Sequence, residues 1–188
     1  MNILGDIGNS EIKVFLVNSK NIIIRSTNFS SKKISNKILT KKLNFLVKDY
    51  SNIKKVLFCS VVPKSFNLIK KFLRKKVKTK CYEVKELNLK SLIDINVNYK
   101  QVGSDRLTNA ISLTNNKNNF IILDFGTATT FDVIIKKSYK GGIIAPGIKI
   151  SLNTLSDKAT LIPRINLKKI KKVIGIDTTS AVRSGFFW

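Results

Sequence analysis

The chain is 188 residues long and 43% apolar, with a mean hydropathy of +0.01 and a formal net charge of +24. Such a chain can bury one substantial core or two small ones, which excludes a disordered polypeptide. It has no histidine and only two cysteines, Cys59 and Cys81, which excludes the usual zinc sites, Ser-His or Cys-His catalysis and a disulfide framework.

The first segment, Asn2-Ile3-Leu4-Gly5-Asp6-Ile7-Gly8-Asn9-Ser10, reads as an apolar strand running into an Asp-x-Gly turn and small polar residues, with a second strand from Lys13 to Val17. No basic stretch precedes its apolar residues and no apolar run reaches the length of a membrane span, so a soluble protein of a reduced cytoplasm is expected. Lys37 to Tyr50 carries apolar residues at helical spacing (Ile38, Leu39, Leu43, Phe45, Leu46). Lys55 to Val62 reads as a buried strand ending at Pro63, Ser65 to Lys76 as a basic helix and Lys80 to Val84 as a short strand. This alternation predicts an α/β fold.

Further along, Gly103-Ser104-Asp105 marks the start of a helix over Asp105 to Leu113. Ile121 to Thr130 repeats the opening pattern, with a second strand from Asp132 to Ile135 in which Asp132 reads as structural. Gly141 to Gly147 reads as turn, strand and turn before a helix from Ile148, and Thr178 as the N-cap of a helix over Thr179 to Gly185. The aspartates of the two similar segments, Asp6 and Asp124, lie 118 positions apart. Two full units of that period would need about 236 residues, so a first domain over residues 1–118 and a partial second over 119–188, short by roughly 50 residues, are expected.

The positive charge invites a nucleic-acid reading, since a basic domain exchanges counterions for phosphates without specific contacts. The lysines, however, are scattered in pairs such as Lys32-Lys33, Lys54-Lys55 and Lys75-Lys76 through Ile- and Asn-rich sequence. That is the pattern of solvated faces in an AT-rich genome, and nucleic-acid binding is disfavoured.

The chemistry concentrates in three places. An Asp-x-Gly segment after a buried strand sets a carboxylate at the strand end, and its glycine lets backbone amides approach a phosphate. Asn9, Ser10, Lys13, Thr127, Thr129 and Thr130 add polar groups beside the two segments, and Asp6 and Asp124 would face each other across a cleft, able to hold Mg²⁺ and a monovalent cation. Gly103-Ser104-Asp105-Arg106 reads either as a helix N-cap or, in a chain without histidine, as a carboxylate base beside an arginine that binds an anionic acceptor.

Taken in order, Asp6-Ile7-Gly8-Asn9-Ser10, Ser60-Val61-Val62-Pro63, Gly103-Ser104-Asp105-Arg106, Asp124-Phe125-Gly126-Thr127-Ala128-Thr129-Thr130, Gly141 to Gly147 and Ile174-Gly175-Ile176-Asp177-Thr178 resemble the successive motifs of type III pantothenate kinases. These enzymes are members of the acetate kinase/sugar kinase/Hsp70/actin superfamily. The resemblance covers essentially the whole chain. It implies duplicated ribonuclease-H-like (actin-like ATPase) domains, with mixed sheets flanked by helices and the second domain incomplete. It also implies ATP-dependent phosphorylation of pantothenate to 4'-phosphopantothenate, the first step of coenzyme A biosynthesis. Mg²⁺ with ATP, a monovalent cation (K⁺ or NH₄⁺) and a homodimer with the acceptor site near the subunit interface come with it.

Carried over residue by residue, the resemblance implies that Asp6, Gly8, Asn9, Ser10, Lys13 and Thr127 contact ATP. Asp124 would ligate the monovalent cation and Asp6 the Mg²⁺, directly or through water. Tyr99, Gly103, Ser104, Asp105, Arg106 and Thr178 would bind pantothenate, and Asp105 would accept the proton of the attacking hydroxyl. Ser104 stands where the family more usually has alanine and Ser10 where it has threonine. The chain stops at Ser184-Gly185-Phe186-Phe187-Trp188, inside a family helix, so an exposed apolar surface and an incomplete nucleotide pocket are expected. The rival readings are a catalytically inactive or regulatory relative of the family and a basic nucleic-acid-binding protein. Sugar or acetate kinase activity is weaker, because Gly-Ser-Asp-Arg fits pantothenate better.

Overall fold

The structure is a computed structural model and describes residues 1–47 and 52–188. It divides into two compact units, Met1–Phe120 with Val133–Gly141, and Ile121–Asp132 with Gly142–Trp188.

The first unit is built on strands β1 (Asn2–Ile7), β2 (Glu11–Val17), β3 (Ile23–Ser30), β4 (Lys55–Ser60) and β5 (Cys81–Glu83), in the order β3-β2-β1-β4-β5. β2 is antiparallel to β1 and β3, whereas β4 is parallel to both β1 and β5, so the sheet is mixed. Helix α1 (Asn36–Val47) follows β3, and α2 (Pro63–Arg74) makes the crossover that the parallel neighbours β4 and β5 require. Along β1, Ile3 and Ile7 join a buried core with Ile12, Val14, Leu16 and Phe58 of the neighbouring strands and with Leu39, Leu43, Leu46, Ile69 and Leu73 of the two helices. The side-chain alternation of a strand then sends Leu4 and Asp6 to the other face. Asp6 is in register with Lys13 on β2 and Cys59 on β4, so all three lie on that second face.

The sequence expectations hold here with shifted ends. The helix expected over Lys37 to Tyr50 is α1, with Lys48 to Tyr50 outside the described residues. Its Phe45 is not part of the buried stripe: it is 54% exposed, with the Arg25 guanidinium 5.1 Å above its ring. Pro63 does not merely end a strand but opens α2, where a first helical position needs no donor. Asp6 lies inside β1, and the turn is Gly8 to Ser10.

Phe58 is fully buried, stacks at a tilt on Phe66 with ring centroids 6.2 Å apart, and occupies the space that a side chain at Gly5 would need. Phe58→Ala is expected to lower the unfolding free energy by about 3–5 kcal/mol in urea titrations, since neither sheet nor helix can collapse into the space left.

A second sheet comprises β6 (Asp94–Ile95), β7 (Asn119–Phe125), β8 (Ala128–Ile135) and β9 (Ser138–Pro146), in the order β6-β9-β8-β7. The boundary of the units falls within β7, β8 and β9. The first unit also holds the short pairing of β6 with β9 and helix α3 (Ser104–Leu113). Gly141 and Gly142, read as a turn from sequence, sit inside β9; Gly141 has φ +106°, a left-handed value that a side chain tolerates poorly.

The second unit contains α4 (Ile148–Lys158) and α5 (Thr178–Phe187). The cap of α5 is Asp177 rather than Thr178: its carboxylate accepts from the Ser180 amide, Ser180 reciprocates, and these bonds hold the Asp177 pKa below its ordinary value. Between the two helices the chain is tied back by the Ser156 hydroxyl on the Pro163 carbonyl (3.0 Å), by Arg183 on the Asn166 carbonyl (3.2 Å) and by the Ser184 hydroxyl on the Val173 carbonyl. Apolar surface is exposed as expected. Ile121, Leu123 and Phe125 alternate along one face of β7, all at least 49% exposed, and Ile143 and Ile144 of β9 are open too. Among the described residues no helix is long and apolar enough to cross a membrane.

Candidate functional site

In the first unit the site is assembled at the carboxyl ends of β1 and β4. The turn Gly8 to Ser10 follows β1 and is closed by the Gly8 amide on the Glu11 carbonyl (3.0 Å). The buried Ser31 holds it from the far side: its hydroxyl donates to the Gly8 carbonyl (2.6 Å) and its amide to the Ser10 carbonyl (3.1 Å). With those carbonyls occupied, the exposed Asn9 and Ser10 side chains face outward. Lys13 is exposed one strand over, its ammonium 3.9 Å from Glu11. Ser31 escaped the sequence reading because a serine after a polar strand carries no signal of its own.

Asp105 comes from α3, whose neighbouring Ser104 hydroxyl accepts from the Cys59 thiol (3.6 Å) on that second face. Ser104 is not an N-cap: Gly103 takes that position, without a side-chain cap bond, and Ser104 is 1% exposed. Its hydroxyl accepts from the Ser60 amide (2.9 Å) and donates to the Ser60 carbonyl (2.8 Å). The pairing of β4 with β5 ends at Phe58 and Glu83, so these Ser60 groups extend past the last β5 partner and the Ser104 hydroxyl replaces the missing strand. The start of α3 is thereby pinned to the end of β4. The Asp105 carboxylate folds over Gly103, in the space that a Cβ there would occupy, and accepts from the Arg106 amide (2.8 Å). Arg106 is half-buried behind it.

Cys59 reports on this arrangement. Burial pushes its thiol up to about 12, hydrogen bonding with Ser104 and Thr108 works the other way, and the negative charges of Asp6 and Asp105 both add to the rise. Two carboxylates from different elements therefore act on one buried thiol, which is itself inert as a nucleophile.

Tyr99 lies in a turn rather than at a strand end. It donates to the Lys85 carbonyl (3.0 Å), and burial, with Glu83 nearby, raises its pKa. The turn leads through the buried Val102 to Gly103, so Tyr99 and Gly103 to Arg106 form one continuous stretch.

In the second unit Asp124 is exposed near the end of β7, and Thr127 is exposed in the two-residue connection to β8. That connection rests on the start of α4: the Gly147 amide donates to the Thr127 carbonyl (3.1 Å), and Gly147 comes so close that a Cβ would strike the carbonyl oxygens of Thr127 and Gly126. A cavity of about 390 Å³ opens beside it, with Gly126, Lys149, Asn153 and Asn166 in its wall. Thr178 is exposed in the first turn of α5. No cluster of three His, Cys, Asp or Glu residues that could hold a metal occurs among the described residues.

The family model of type III pantothenate kinases matches residues 2–188. The chain belongs to the type III pantothenate kinase family. A type III pantothenate kinase of Pelagibacter ubique (strain HTCC1062) is 63% identical over 188 residues, a match that covers all of this chain and 76% of that protein. Other curated type III pantothenate kinases, 36–40% identical, are matched over 51–58% of their own length. Among solved structures, a Baf family transcriptional activator from Campylobacter jejuni superposes with a TM-score of 0.55 at 19% identity, covering 97% of this chain and 72% of that one. A 2-dehydro-3-deoxygalactonokinase protein from Sinorhizobium meliloti gives 0.52 at 9% identity, covering 86% and 58%. At such identities these likenesses speak for the fold alone, mixed sheets flanked by helices.

Proposed function

We propose that this chain phosphorylates pantothenate with ATP, giving 4'-phosphopantothenate for coenzyme A synthesis, with Asp105 as general base. The observation that carries the reading is the placement of Asp105: a carboxylate fixed over Gly103 at the first turn of a helix, on the face that also carries Asp6 and Lys13. Membership of the type III pantothenate kinase family supplies the substrates.

Phosphoryl transfer needs positioning and charge neutralisation more than covalent assistance. On this reading the Gly8 to Ser10 turn, Lys13 and Thr127 bind the ATP phosphates, the Arg106 guanidinium pairs with the pantothenate carboxylate, and Tyr99, Ser104 and Thr178 line the acceptor. Asp105 takes the proton from the hydroxyl as it attacks the γ-phosphate. Mg²⁺ arriving with ATP keeps water and phosphate oxygens in its shell and needs only one or two carboxylates from the protein. The exposed Asp6 carboxylate fits that requirement without a three-ligand cluster. Bound there, Mg²⁺ would neutralise phosphate charge. The exposed Asp124 offers a hard oxygen of the type that K⁺ or NH₄⁺ accepts. Residues 1–118 and 119–188 would be the two actin-like domains, and the working form would be a cytoplasmic homodimer.

The test is ATP- and Mg²⁺-dependent phosphorylation of pantothenate by the purified chain, with and without K⁺. K⁺-stimulated turnover supports the reading. A folded chain that binds neither substrate refutes it.

A further inference from the structure

We infer that Lys85, outside every motif of the chain, is a positioning residue that holds the acceptor stretch from Tyr99 to Gly103 in place; this rests on the reading of that stretch as the pantothenate site. Lys85 sits in the 3-10 turn Val84–Glu86 that follows β5. The turn is fixed from behind by Glu83, one carboxylate oxygen of which accepts from the Lys85 amide (2.7 Å) and the other from the Ser60 amide (3.3 Å). From this base the half-buried Lys85 side chain reaches across to the loop before α3. Its ammonium donates to the carbonyls of Val102 (3.0 Å) and Lys100 (3.3 Å) and lies 4.9 Å from the centre of the Tyr99 ring. The Tyr99 hydroxyl returns a bond to the Lys85 carbonyl, so ring and ammonium are locked reciprocally.

The loop's own bonds are short-range. The Gln101 amide reaches the Asn98 carbonyl (3.0 Å) and the Lys100 amide the Asn98 side chain (3.2 Å). Those bonds shape a turn but do not tie it to the sheet. Lys85 does, because one cation satisfies two carbonyls and an aromatic face at once, and charge-assisted bonds of this kind are stronger than neutral ones. The same Ser60 amide that Glu83 touches is also held by Ser104. Tyr99 at the start of the stretch and Asp105 at its end are therefore referred to one point at the end of β4. An acceptor bound between them would meet a preset geometry, which improves its binding without touching the chemical step.

The test compares Lys85→Met and Lys85→Arg with the unaltered chain in steady-state kinetics for both substrates, together with amide exchange of residues 99–103. For Lys85→Met the expected result is a rise of roughly tenfold in KM for pantothenate. The kcat and the KM for ATP should stay within about twofold and exchange of the stretch should accelerate, with Lys85→Arg recovering most of both effects. Where the methionine variant does not fold, Lys85→Gln gives the same comparison. Unchanged pantothenate KM and exchange in an otherwise active protein would overturn the inference alone, as would equal losses for both substrates with a lowered Tm. An unaltered chain that does not phosphorylate pantothenate would overturn the functional reading, and the acceptor role of Lys85 with it.

Discussion

Asp105→Asn is expected to lower kcat for pantothenate phosphorylation by about 10²–10⁴-fold, the usual worth of a positioned general base, while KM for ATP changes little. The substitution is a fair one structurally. An asparagine keeps the size of the side chain and an oxygen to accept from the Arg106 amide, so the first turn of α3 and the seat over Gly103 remain. What is lost is the capacity to take a proton. The competing explanation is that Asp105 merely places a negative charge at a helix N-terminus; the variant would then lose about 0.3–1 kcal/mol of stability and keep its kcat. Steady-state rates with a thermal melt of the same sample separate the two. The absence of histidine from the chain sharpens the test, because the commonest substitute base is not available.

What the sequence revealed and what it hid follow from different physics. β1, β4, α1 and α2 are legible because burial on one face writes a period into the chain: Leu39, Leu43 and Leu46 on α1, and Phe66, Ile69 and Leu73 on α2, are the buried apolar positions. β3 carries no such signal, because it is an edge strand whose centre is Arg25-Ser26-Thr27-Asn28 and whose Ile23 and Ile24 are exposed, so no apolar face alternates. Gly141 misled for a related reason: Gly-Gly normally punctuates a turn, but here a left-handed φ is accommodated inside β9. Asp177 and Thr178 are both good caps by composition, and only the reciprocal bond with Ser180 decides for Asp177.

The site divides in the same way. Asp6, Asp105 and Asp124 stand out because each falls within a local motif, two Asp-x-Gly segments and Gly-Ser-Asp-Arg. The bonds that set their geometry do not. Ser31 and Ser104 act through hydroxyls on backbone groups 23 and 44 positions away, and Lys85 acts on carbonyls 15 and 17 positions away. Such bonds have no sequence spacing to be recognised by, since they depend on which strand ends where. In a chain with 35 lysines and arginines, one structural lysine is indistinguishable from the solvated ones until its partners are known.

Gly147→Ala is expected to act strongly on the second unit. The Cβ it adds would lie 2.3–2.7 Å from three backbone atoms, two of Thr127 and the Gly126 oxygen, well inside van der Waals contact. Backbone held between two strands and a helix start cannot swing aside as a side chain can, so the Gly126 and Thr127 connection must move off α4, breaking the bond from the Gly147 amide. Overpacking of this kind costs about 1–3 kcal/mol, and if Thr127 contacts ATP the displacement should raise KM for ATP by about tenfold or more while KM for pantothenate stays near its original value. Gly185→Ala is the matched control. Nothing lies within 4 Å of its added Cβ, and it sits within α5, so the same chemical change should stabilise the chain by about 0.5–1 kcal/mol. Measured side by side, the two alanines separate the loss of glycine flexibility, which both share, from the loss of close approach, which only Gly147 suffers. Equal effects on Tm and on KM for ATP would mean that the seat of Thr127 on α4 has no part in nucleotide binding.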